Sequence, residues 1–140
     1  MAQVVLLDTG PLLAMVDRRD ASHAWTFERL QDLREPLGCC GAVLAEACFV
    51  LRHAPLPLGR IRAQVEHGNI VPVPESAELW EHCFALMERY ANVPMSFADA
   101  CLVAMAEEMP QAKIFTLDRD FLIYRHQRDK PLALIAPFSA

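Results

Sequence analysis

The sequence predicts an α/β fold with a mainly parallel central sheet, and three observations carry that expectation. Short apolar runs rich in Val, Ile and Leu alternate with longer segments of helical apolar spacing, as strand–helix–strand crossovers require. Asp residues close two of the short runs, Asp8 after Val4-Val5-Leu6-Leu7 and Asp118 after Ile114-Phe115-Thr116-Leu117. No repeat, low-complexity tract or linker interrupts the 140 residues, a length that suits one compact domain spanning 1–140.

The elements follow in order. Residues 3–7 read as a buried strand ended by Asp8-Thr9-Gly10. Pro11 suits the first turn of a helix running to about Val16, where its missing N–H is no loss. A second helix from about Ser22 carries Trp25, Phe27 and Leu30. Leu37-Gly38-Cys39-Cys40-Gly41 reads as a strand entering the helix that holds Glu46. His53-Ala54-Pro55-Leu56-Pro57 is expected to stop that helix, and another to run from about Leu58 to Glu66. Ile70-Val71-Pro72-Val73 is a short strand whose proline places it at a sheet edge or strand end. A helix from about Ser76 to Tyr90 shows a stripe of Leu79, Trp80, Phe84, Met87 and Tyr90. Ser96-Phe97-Ala98-Asp99 matches a capping box and opens a helix to about Glu108. Strands over 113–116 and 132–135 complete the sheet.

Composition narrows the function classes. An apolar fraction of 54% with 22% charged residues describes a globular chain. No apolar run is long enough to span a bilayer, because Glu46 and Asp99 break the longest two. No basic segment leads into a long apolar stretch at the start, so a cytoplasmic protein without membrane association is expected. A net charge of −5 argues against a broad basic nucleic-acid-binding face, yet is compatible with a nuclease whose acids bind metal. The five cysteines, Cys39, Cys40, Cys48, Cys83 and Cys101, form no CxxC pair and read as small core residues. His23, His53, His67, His82 and His126 show no paired ligand spacing. No G-x-S-x-G and no phosphate-loop glycine pattern occurs.

The informative residues are Asp8, Glu46, Asp99 and Asp118, each inside or at the end of an apolar stretch. An unpaired carboxylate in apolar surroundings must be neutralised, hydrogen-bonded or given a counter-charge. Only two lysines exist, Lys113 and Lys130, and no Arg lies within four residues of Glu46 or Asp99. Each acid has a local explanation: Asp8 as a turn or cap, Asp99 as the capping-box acid, Asp118 as an Asx-turn paired with Arg119. Glu46 resists one, since its helix neighbours Ala42, Val43, Phe49 and Val50 offer no ion pair. Sites in parallel sheets lie beyond the carboxyl ends of the strands, and all four acids can reach that edge. A shared divalent cation is the simplest common counter-charge.

The ordered set of motifs resembles PIN-domain nucleases, especially the VapC-type toxins of bacterial toxin–antitoxin pairs. It comprises Leu7-Asp8-Thr9-Gly10-Pro11-Leu12-Leu13, Asp17-Arg18-Arg19-Asp20-Ala21-Ser22-His23, Glu46 in its apolar helix, Ser96-Phe97-Ala98-Asp99-Ala100, and Phe115-Thr116-Leu117-Asp118-Arg119-Asp120-Phe121. The resemblance covers essentially the whole chain and implies a PIN-like three-layer α/β/α sandwich. It implies that Asp8, Glu46, Asp99 and Asp118 are catalytic acids that bind Mg²⁺ or Mn²⁺, with Thr116 and Asp120 in support; Arg119, bordering Asp118, is a further candidate for contacting phosphate. Asp120 stands as an alternative to Asp118 for the fourth acid. RNA substrate, a cognate antitoxin and a homodimer are the partners it implies.

Oxygen ligands suit Mg²⁺ and Mn²⁺, and such ions activate water, shield phosphate charge and stabilise a leaving 3′-oxygen. The expected reaction is hydrolysis of RNA to 5′-phosphate and 3′-hydroxyl ends. A stand-alone RNA-processing PIN nuclease is the nearest alternative. A metal-dependent phosphatase would want a second Asp two residues after Asp8, where Gly10 stands. A non-catalytic RNA- or protein-binding module is disfavoured by the intact acids.

Overall fold

The computed structural model describes residues 4–139. Five strands form one parallel sheet: β1 (Val5–Leu7), β2 (Leu37–Cys39), β3 (Ile70–Pro72), β4 (Ile114–Phe115) and, last in the chain, a strand at Leu134–Ile135. The order across the sheet is β3-β2-β1-β4 followed by Leu134–Ile135, so β1 is central. Gln3, read from sequence as the first strand residue, lies outside the described residues.

Six helices connect the strands: α1 (Thr9–Val16), α2 (His23–Gln31), α3 (Gly41–Val50), α4 (Pro55–Glu66), α5 (Ala77–Arg89) and α6 (Phe97–Glu108). Right-handed crossovers put α1 to α4 on one face and α5 with α6 on the other. The packing agrees, since α1 contacts α2, α3 and α4 while α5 lies along α6. The expected three-layer α/β/α sandwich is therefore the fold. A 3₁₀ turn (Arg119–Leu122) and an antiparallel pair, β5 (Arg125–His126) with β6 (Lys130–Pro131), fill the last connection; with these named, Leu134–Ile135 is β7.

The core is centred on β1, β4 and α6. Leu6, Leu7, Ile114 and Phe115 are fully buried, and α6 is buried continuously from Ala100 to Ala106. Cys39, Cys40, Cys83 and Cys101 are buried in this core and Cys48 is half-buried; all five are free thiols. No helix among the described residues is long and apolar enough to cross a membrane.

Two sequence expectations need correction. Helix α4 starts at Pro55, three residues earlier than expected, because Pro55 occupies the first turn and Pro57 is buried there instead of breaking the chain. In α5 the buried side chains are Leu79, Cys83 and Leu86, while Trp80 and Phe84 are 52% and 59% exposed. Trp80 and Phe84 each follow a packed residue, Leu79 or Cys83, by one position, which turns them about 100° away from it around the helix.

Candidate functional site

From β1 the chain crosses to β2 on one side, whereas the next strand on the other side is β4. The carboxyl ends of β1 and β4 thus flank the point where connections diverge, and side chains there face an open crevice. Asp8 follows β1 directly, and Thr116 and Asp118 follow β4. Asp8 and Asp118 line a cleft of 730 Å³ with Thr9, Gly10, Glu46, Asp99 and Asp120.

Asp8 is the one buried acid of the set, 6% exposed. As the N-cap of α1 it accepts the Thr9 N–H through Oδ1 at 2.8 Å. Its Oδ2 accepts the Thr116 hydroxyl at 2.7 Å, and the same Thr116 oxygen accepts the Asp118 N–H at 2.9 Å. Asp118 in turn accepts the Asp120 N–H at 2.9 Å, the Asx-turn that the local reading had foreseen. Asp118 stands exposed at the cleft and Asp120 half-buried beside it.

Asp99 sits in the first turn of α6, where the Ser96 hydroxyl accepts its N–H at 3.0 Å as the capping motif requires. Its Oδ2 accepts the Tyr124 hydroxyl at 2.9 Å. Glu46 projects from the second turn of α3 and accepts the Thr9 hydroxyl through Oε2 at 2.9 Å. The expectation that Glu46 is trapped on an apolar face is corrected here. Only Val43 and Ala47 of α3 are buried, and Glu46 shares an exposed side with Phe49, which is 64% exposed. Of the local alternative for Asp118, the Asx-turn forms and the pairing with Arg119 does not: the Arg119 guanidinium lies over the Phe138 ring at 5.1 Å. All five acids and Arg119 nevertheless line the one cleft, and Thr116 lies buried behind it.

The electrostatics reflect this crowding. Burial pushes the Asp8 carboxyl above its ordinary range, the Thr116 and Thr9 hydrogen bonds oppose that, and the charges of Asp118 and Glu46 add to it. Burial likewise raises Asp99, from 3.8 to about 6, against the Tyr124 hydrogen bond and with help from Asp8 and Asp118. Among the described residues no lysine lines the cleft, and Arg119 is its only basic residue. A cation is the complementary charge.

The donor set fits a hard divalent ion, since every carboxylate and hydroxyl offers oxygen and neither imidazole nor thiol enters the cleft. Among the described residues no three His, Cys, Asp or Glu side chains already converge on one ion-sized point. The acids line the cleft without being drawn together, and Glu46 and Asp118 are the exposed ones.

Two groups that touch the acids went unnoticed in the sequence reading. Thr9 could have been found, because it adjoins Asp8 at the head of a helix. Tyr124 carries no comparable signal; its contact with Asp99 exists only through the path of the chain after the 3₁₀ turn.

The PIN domain model matches residues 5–126. No curated protein matches in sequence. Several solved structures share the fold, and three of them follow. VapC20 of Mycobacterium tuberculosis, a Sarcin-Ricin loop cleaving toxin, superposes with a TM-score of 0.73 at 17% identity, covering 83% of this chain and 91% of its own. A toxin–antitoxin complex from Klebsiella pneumoniae gives 0.66 at 14% identity, with 97% and 99% covered. VapBC2 from Rickettsia felis, bound to a DNA fragment from its promoter, gives 0.64 at 14% identity, with 96% and 98% covered.

Proposed function

The chain belongs to the PIN-domain family, and on that premise we propose that it is a divalent-metal-dependent endoribonuclease, the toxin of a toxin–antitoxin pair. The observation that carries this reading is Asp8, a buried carboxylate at the end of the central strand, with Glu46, Asp99, Asp118 and Asp120 around it and no lysine in the cleft. RNA as substrate is supported by VapC20, whose fold this chain shares. A protein antitoxin is supported by the complexes from Klebsiella pneumoniae and Rickettsia felis.

In this reading Asp8, Glu46, Asp99 and Asp118 would hold Mg²⁺ or Mn²⁺, with Asp120 able to replace Asp118 as the fourth acid. The bound ion supplies positive charge to the scissile phosphate and lowers the pKa of the attacking water. Thr116 keeps Asp8 and the Asp118 loop in register through its two hydrogen bonds. Thr9 orients Glu46. Arg119, exposed at the rim, offers a forked donor to a phosphate oxygen. Water attacks phosphorus and the 3′-oxygen leaves, giving a 5′-phosphate and a 3′-hydroxyl.

The whole chain acts as one domain in this reading, and it forms a homodimer through exposed apolar side chains that include Trp80 and Phe84. The antitoxin covers the acidic cleft, with an Arg facing the carboxylates. A small DNA-binding protein encoded in the adjacent reading frame, neutralising the toxin on co-expression, is the expected genetic signature.

The deciding experiment maps RNA termini after digestion with Mg²⁺ or Mn²⁺, beside EDTA and Asp99→Asn controls. Ends bearing 5′-phosphate and 3′-hydroxyl, lost in both controls, are expected. Cyclic phosphate ends, or cleavage that survives EDTA, overturn the chemistry.

A further inference from the structure

Tyr124 is the largest fully buried side chain among the described residues, and its hydroxyl donates to Asp99 Oδ2 at 2.9 Å. Its ring is held edge-on by Tyr90, with centroids 5.1 Å apart, and by Phe121 at 5.2 Å. Phe121 belongs to the 3₁₀ turn that Asp118 caps, and Tyr90 closes α5. Tyr90 is itself fixed, because its hydroxyl accepts the Arg125 N–H at 2.9 Å. The phenol therefore has little freedom, and the carboxylate it touches inherits that constraint.

We propose that Tyr124 is a positioning residue that fixes the Asp99 carboxylate for divalent-cation binding, tying it to the loop that carries Asp118. The proposal rests on the metal-dependent reading of the cleft above. With Oδ2 accepting from Tyr124, the Asp99 carboxylate is held in one orientation, with Oδ1 and the second lone pair of Oδ2 left to accept a cation. A carboxylate so oriented does not have to be ordered when the cation arrives, and partners of this kind commonly change metal affinity about 10–100-fold when removed. The aromatic clamp also explains why an interior tyrosine is used where a phenylalanine would pack: the ring needs one polar partner, and the only one it finds is a cleft acid.

The test follows Mn²⁺-dependent thermal shifts of wild type, Asp8→Asn, Tyr124→Phe, Asp99→Asn and the Tyr124→Phe/Asp99→Asn double variant. Wild type should titrate and Asp8→Asn should not. Tyr124→Phe should keep the far-ultraviolet circular dichroism of wild type while its Mn²⁺ midpoint rises about 10–100-fold. Asp99→Asn and the double variant should both lose most of the shift, so the discriminating comparison is Tyr124→Phe against wild type. A second readout uses the intact side chain. The chain has two tyrosines, so 3-fluorotyrosine labelling gives two ¹⁹F signals, assigned with Tyr90→Phe. The Tyr124 signal should shift with Mg²⁺, and more than that of Tyr90. A Tyr124→Phe midpoint within twofold of wild type, or a silent Tyr124 signal, overturns the positioning role and leaves the metal reading standing. Absence of any wild-type response to Mn²⁺ overturns both.

Discussion

Thr116 holds Asp8 by a 2.7 Å hydrogen bond from a hydroxyl that is itself completely buried. Because the same oxygen accepts the Asp118 N–H at 2.9 Å, one side chain ties the ends of β1 and β4 together at the cleft. Thr116→Val keeps the shape and removes both bonds. It should destabilise the metal-free protein by about 1–3 kcal/mol at neutral pH, since buried Asp8 loses a donor. Nuclease activity should fall with it, while Thr116→Ser should retain most of both. Urea denaturation with parallel cleavage assays checks this, and equal stability of Thr116→Val and wild type would count against the link.

Crowding of the acids gives the metal-free protein a defined pH response. Asp99 titrates near 6 when folded and near 3.8 when unfolded. Between those values the folded state holds a proton that the unfolded chain has released, so this group's contribution to stability declines as pH rises from about 4 to about 6 and is flat above. Asp8, also raised by burial, acts in the same direction. Allowing for solvent screening of a part-exposed carboxyl, the Asp99 contribution is on the order of 1–2 kcal/mol. The difference in stability between Asp99→Asn and wild type, measured in EDTA, should therefore grow in favour of the variant across that window. A difference independent of pH refutes the assignment.

Divalent metal should reverse this penalty. At a hundredfold excess over its dissociation constant, Mn²⁺ should stabilise the folded protein by about 2.7 kcal/mol. Asp8→Asn should abolish the rise in melting temperature while keeping the fold, and should raise metal-free stability by removing a buried charge. Identical Mn²⁺ responses in wild type and Asp8→Asn would eliminate a shared site.

Self-association is expected to depend on Trp80 and Phe84, which are exposed on α5 away from its packed face. Sedimentation of wild type at micromolar concentration should show a dimer. Introducing Trp80→Glu and Phe84→Glu together should leave the 15.7 kDa monomer. A wild-type protein that sediments only as monomer rules the dimer out.

Gly38 in β2 leaves no room for a side chain. A Cβ there would stand 2.8 Å from Val73 Cγ2 and 3.0 Å from Val4 Cγ2, closer than side chains pack. Both obstacles are β-branched and cannot swing aside. Gly38→Ala should cost about 1–3 kcal/mol in urea denaturation and leave cleavage specificity unchanged. A neutral substitution would show that the packing around β2 is looser than this contact implies.

Local physics accounts for what was legible in the residues alone. Strand-type runs ended by Asp8 and near Asp118 placed two acids at strand ends, and the Ser96 cap placed Asp99 in the first turn of its helix. Each depends only on neighbours a few positions away. The parallel order follows from alternating strands and helices joined by right-handed crossovers. Tertiary packing decided the rest, because an apolar run specifies an element without saying which of its sides another element will cover. Helix α3 is apolar nearly all round, yet its Glu46 side is left to solvent, so the carboxylate reaches the cleft by exposure and not by entrapment. Trp80 and Phe84 lost the core to Leu79, Cys83 and Leu86 for the same reason. The contact between Tyr124 and Asp99, 25 residues apart, needed the 3₁₀ turn and β5 to carry the phenol back against α6. Sequence spacing determined which acids could share an edge of the sheet; the packing of distant side chains decided how each one is held there.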